Sequence, residues 1–128
     1  MKLNIYRDLE ELITEKEFNF FLNNFILNED NYSNYEKIEI LDILSDKFSK
    51  FYNTHILTET QKNQLINSLI LLTDFSKLDI MQDLIGILFN FRLNEYYLYL
   101  KNHCNSIIHK KVQIELLDSL AEYEQMIS

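Results

Sequence analysis

Proline is absent from this 128-residue chain and glycine occurs once, at Gly86. With the two strongest helix breakers so scarce, and apolar residues recurring at three- and four-residue intervals, the sequence predicts an all-α protein. One glycine also cannot build a glycine-rich phosphate loop. The single cysteine, Cys104, has no partner for an intramolecular disulfide, which fits a reducing compartment. Long apolar runs are missing too. The opening MKLNIYRDLEEL lacks the hydrophobic stretch of a secretory signal, and runs such as Leu69 to Leu72 fall far short of the roughly 18 to 20 apolar residues of a membrane span. The expectation is a cytoplasmic chain with no membrane contact.

Positive charge is the last shortage. The net charge is −8, and residues 1–48 carry 11 acidic and 5 basic side chains, net −6, leaving −2 for the rest. Without clustered Lys and Arg to neutralise phosphates, nucleic acid is a poor direct ligand. A basic protein partner suits this balance, although acidity alone also serves solubility.

What is present is a core. A hydrophobic content of 47% against 25% charged residues separates the chain from disordered sequences, and its length fits one domain over residues 1–128. Apolar periodicity predicts seven helices near 4–13, 15–27, 34–52, 59–73, 76–91, 94–102 and 106–126. Thr14 with Glu17, Ser33 with Glu36 and Thr58 with Gln61 have the S/T-x-x-E/Q spacing of capping boxes at three of these starts. Phe18, Phe20, Phe21, Leu22, Phe25, Ile26 and Leu27 cover most of one helix's circumference, so that helix is expected to lie between others, its aromatics in the core. Asn28 to Asn34 reads as a polar loop.

Three segments resemble one another: KIEILDIL from Lys37, KLDIMQDL from Lys77 and KVQIELLD from Lys111. Their starts are 40 and 34 residues apart, about one helix pair of a HEAT, armadillo or tetratricopeptide array. The expected architecture is therefore a stack of HEAT-like αα-hairpins spanning 15–52, 59–91 and 94–126, with the first helix as a cap. Second helices of such hairpins usually line the concave binding face. Their polar sides carry Glu39, Asp42 and Asp46; Asp79 and Asp83; and Glu115, Asp118 and Glu122. Opposite them lie the apolar stripes through Ile40 and Leu44, Met81 and Leu84, and Val112, Leu116 and Leu120. The eight carboxylates are expected to form an acidic partner-binding surface. Among the eight tyrosines, Tyr32, Tyr35 and Tyr97 are the expected interface anchors, because Tyr brings large contact area with a polar tip. Tyr96 and Tyr97 are successive on a helix, so at least one of them is expected to be exposed.

Catalytic and cofactor chemistry finds little support. His103, Cys104 and His109 are potential metal ligands in poor spacing, and His55 is the only other histidine, so no second ligand pair exists. Neighbouring Cys and His on a helix diverge rather than form a nucleophile and base. No cofactor, metal or catalytic residue is assigned.

Taken as a whole, the small, acidic, motif-free helical chain, rich in Asn, Ile, Tyr and Phe, resembles helical immunity proteins of bacterial contact-dependent and other polymorphic toxin systems. The likeness is one of type across the whole chain, and no residue carries over individually. It implies a one-to-one complex with a cognate toxin, commonly a basic nuclease domain whose active or substrate-binding surface is occluded. The same surface would equally serve an intracellular helical-repeat adaptor or regulatory module.

Overall fold

The computed structural model describes residues 2–52 and 55–128. Among the described residues the chain is all-α. The helices are α1 (Leu3–Arg7), α2 (Glu15–Asn28), α3 (Asn34–Ser49), α4 (Glu59–Leu72), α5 (Leu78–Phe91), α6 (Asn94–His103) and α7 (Lys110–Ile127), with 3-10 turns at Glu29–Asn31 and Cys104–Ser106. Packing divides the chain into two compact units, Met1–Leu65 and Ile66–Ser128. No described helix is long and apolar enough to cross a membrane.

Three helices start where the sequence places their caps. Thr14 Oγ1 accepts from the Glu17 amide while Glu17 Oε1 accepts from the Thr14 amide, both at 3.1 Å. Ser33 and Glu36 exchange the same pair of bonds, as do Thr58 and Gln61. Each box satisfies two amides that the first turn otherwise leaves without intrahelical partners.

In the first unit α3 packs against α1 and α2. Tyr6, Phe18, Leu22, Phe25, Ile40, Leu41 and Leu44 are all fully buried. Helix α2 is not enclosed as its composition predicts. Phe18, Leu22 and Phe25 form a buried stripe at spacings of four and three, whereas Phe20 is 55% and Leu27 82% exposed. A helix packed along one side buries one stripe whatever its other residues are. The predicted first helix, 4–13, also stops early, at Arg7. The Thr14 cap requires extended backbone (φ −76°, ψ 160°), which breaks helical continuity, and the Glu11 carbonyl accepts instead from Lys47 Nζ at 3.3 Å.

In the second unit α5, α6 and α7 pack against one another. Met81, Leu84, Ile87, Leu88, Tyr96, Leu100, Val112, Leu116 and Tyr123 are fully buried. The neighbours α2 with α3 and α6 with α7 pack on one another, two of the three pairings expected. The sequence repeat is only partly structural. Ile40, Leu41 and Leu44 in the first copy and Ile80, Met81 and Leu84 in the second are buried at matching positions. In the third copy the matching residues are Ile114, which is 60% exposed, Glu115 and Asp118, while the core of α7 runs through Val112, Leu116 and Leu120. The third segment thus shares composition with the others and presents a different face.

Candidate functional site

The predicted carboxylates do not share one environment. Glu39 is half-buried because α1 lies against α3, where the Arg7 guanidinium donates to it from Nε at 2.5 Å and from Nη2 at 2.8 Å. Those two hydrogen bonds hold the Glu39 carboxyl below its usual range, and Glu39 is thereby a partner of α1 rather than an open acidic group. Two turns further on, exposed Asp46 accepts from Lys50 Nζ at 3.1 Å. Asp42 is exposed between them.

Helix α5 differs. Its buried side is almost continuous, and Asp79, Gln82 and Asp83 stand on the exposed side. Asp79 and Asp83 are one turn apart, and no described cation lies within ion-pair distance of either. Partial burial, and then repulsion from Asp79, push the Asp83 carboxyl above its ordinary pKa. On α7, Asp118 and Glu122 are exposed and likewise lack a described ion-pair partner, whereas Glu115 is half-buried. The α7 surface is also less acidic than its sequence pattern implies, since Ile114 and Leu117 stand exposed on it.

Of the predicted tyrosine anchors, Tyr35 is open to solvent, 63% exposed. Tyr32 is half-buried, stacked on Phe25 at 6.1 Å between ring centroids and edge-on to Tyr6 at 6.4 Å. Tyr97 is buried, and so is Tyr96, against the expectation that one of them faces out. Tyr96 is stacked with Tyr99 and hydrogen-bonded to Thr73, whereas Tyr97 is tilted onto Tyr123 of α7 at 5.1 Å. Two side chains about 100° apart on a helix are both buried when each meets its own neighbour. The Tyr97 hydroxyl donates to Glu124, which also accepts from Lys101. Tyr97 is therefore a packing residue with a satisfied polar tip.

The potential metal ligands are dispersed in role. Cys104 is buried with its thiol donating to the Lys101 carbonyl, and His103 Nδ1 lies 2.7 Å from the Tyr99 carbonyl. Among the described residues no three metal-capable side chains cluster.

A feature the sequence reading misses lies at the start of α7. The helix is expected from residue 106 and begins at Lys110, because Ile107 and His109 have extended backbone (ψ 123° and 105°). Ile108 is left 95% exposed. Phe75, His103, Ile107, Ile108, Lys110 and Lys111 line an open cleft of about 800 Å³ there. A signal was available: Ser106 is followed three residues later by His109 rather than Glu or Gln, so the capping box found at three other helices is missing. Compared with protein-family models, curated proteins and solved structures, the chain matches none of them.

Proposed function

We propose that this chain is an immunity-type inhibitor, a protein-binding module that neutralises a cognate toxin by covering a basic catalytic or substrate-binding surface. The observation that carries the reading is the Asp79–Asp83 pair on α5. Like charges one turn apart destabilise a helix by roughly 0.2–0.5 kcal/mol, and here no described cation offsets them. Lys and Arg side chains that a nuclease uses to hold phosphates would relieve that repulsion on binding. Within the same unit, Asp118 and Glu122 on α7 add exposed carboxylates; in the other unit, taken by itself, exposed Asp42 and Tyr35 offer a carboxylate and an aromatic for contact. The carboxylates set encounter rate and specificity, and the aromatic contact sets the lifetime of the complex.

The test is survival of cells expressing the protein encoded beside this gene, with and without the chain, and with an Asp79→Lys/Asp83→Lys variant. Wild-type rescue, lost in a variant that retains its helical circular dichroism and melting cooperativity, is the expected result. A harmless neighbour, or a toxic one that is not rescued, removes the immunity reading. Rescue undiminished in the variant removes α5 from the contact.

A further inference from the structure

We propose that the cleft at the start of α7 binds a small amphipathic anion, its apolar chain or ring held by Phe75, Ile107 and Ile108 and its carboxylate or phosphate by Lys110 and Lys111. This site is separate from the acidic pair on α5 and takes a ligand of opposite charge. Its volume, about 800 Å³, falls within the range of small-molecule pockets and is too small for a folded partner. The walls are mostly apolar, and an isoleucine as exposed as Ile108 gains by being covered.

Charge complementarity selects the head group. In a chain of net charge −8, the charged side chains lining the cleft are cations. Lys110 and Lys111 are exposed and have no described carboxylate within ion-pair distance. They stand in the first turn of an 18-residue helix that has no acidic residue in that turn and no side-chain cap. Two lysines there oppose the helix dipole, and an anion would satisfy both the lysines and the uncapped amides. One side wall is already braced: Phe75 is stacked with His103 at 6.3 Å, and His103 is packed on Tyr99 at 4.3 Å. The cleft therefore combines an apolar, partly aromatic lining with two lysines.

Titration of the isotopically labelled full chain with decanoate, decyl phosphate, decanol and decyltrimethylammonium, all below their micelle concentrations, tests this. Decanoate and decyl phosphate are expected to saturate, with amide shifts centred on Ile107 to Lys111, and decanol to bind about tenfold more weakly. Lys110→Glu/Lys111→Glu is expected to weaken decanoate by about tenfold and leave decanol unchanged. That reversal improves the charge–dipole balance of α7, so the loss would not reflect unfolding. Ile108→Ser is expected to weaken decanoate, decyl phosphate and decanol alike. Equal affinity for decanol and decanoate, preference for the ammonium probe, shifts centred elsewhere, or no saturation would each overturn the proposal.

Discussion

Tyr6 and Tyr96 are both fully buried, yet their hydroxyls differ in what holds them. Tyr96 Oη is 2.7 Å from Thr73 Oγ1, which itself donates to the Leu69 carbonyl at 2.7 Å, so the phenol is the donor to Thr73. Tyr6 Oη has no partner in hydrogen-bonding geometry. Burial, then the neighbouring Tyr32 phenol, push the Tyr6 pKa above its ordinary value. A buried hydroxyl without a partner contributes a desolvation cost and little in return. Tyr6→Phe is therefore expected to leave stability within about 0.5 kcal/mol or raise it, and Tyr96→Phe to cost about 1 kcal/mol, by urea denaturation. A larger loss for Tyr6→Phe would place a bond on its hydroxyl. Arg92 gives a second test at this scale. It ends α5 with φ 57° and ψ 53°, its amide donating to the Leu88 carbonyl at 2.7 Å. Glycine reaches this left-handed conformation without the Cβ penalty, so Arg92→Gly is expected to raise stability by about 0.5–1 kcal/mol in thermal unfolding. An unchanged or lower melting point would mean that the arginine side chain contributes more than the strain costs.

On the scale of the helix, the Asp79–Asp83 pair links stability to binding. The Asp83 pKa is raised in the folded chain, so the folded state holds its proton to a higher pH than the unfolded state does. Stability from this group is consequently lost as pH rises through the interval between its unfolded and folded values, and is unaffected below both. Asp83→Asn is expected to gain a few tenths of a kcal/mol at neutral pH, an amount held down by solvent screening, with the gain vanishing in strongly acidic solution. If α5 meets a basic partner, the same variant binds it more weakly, so stability and affinity move in opposite directions. Chemical denaturation across pH, paired with binding assays, checks both, and a variant less stable at neutral pH would refute the repulsion.

Such local pairs are legible in sequence because α-helical spacing alone sets them. The capping boxes at Thr14, Ser33 and Thr58 and the core stripes of α5 and α7 follow from the same periodicity. Contacts between helices are not coded by periodicity. The capture of Glu39 by Arg7, 32 residues away, and the burial of Tyr97 against Tyr123 depend on which helices become neighbours. The early end of α1 and late start of α7 escape periodicity as well, because near each break a backbone carbonyl accepts from a side chain that periodicity does not pair with it, Glu11 from Lys47 Nζ and Cys104 from Gln113 Nε2.

For the molecule as a whole, the asymmetry of charge sets how a partner would arrive. Six of the eight net negative charges belong to residues 1–48, although within that stretch Glu39 is matched by Arg7. Long-range attraction sums over net charge and is screened within roughly 10 Å at moderate salt, whereas the lifetime of a complex depends on short-range contacts. If the partner is a basic toxin domain, its association rate is expected to fall roughly tenfold or more between low and physiological ionic strength, with a much smaller change in dissociation rate. Replacing Asp42 with Asn is expected to flatten the association-rate slope slightly, and replacing Tyr35 with Ala to raise the dissociation rate with the slope intact. Stopped-flow mixing with the toxin encoded beside this gene at several salt concentrations separates the two. An association rate indifferent to salt would shift the weight of recognition from the carboxylates to exposed apolar side chains such as Phe20 and Leu27, which the fold leaves uncovered on α2.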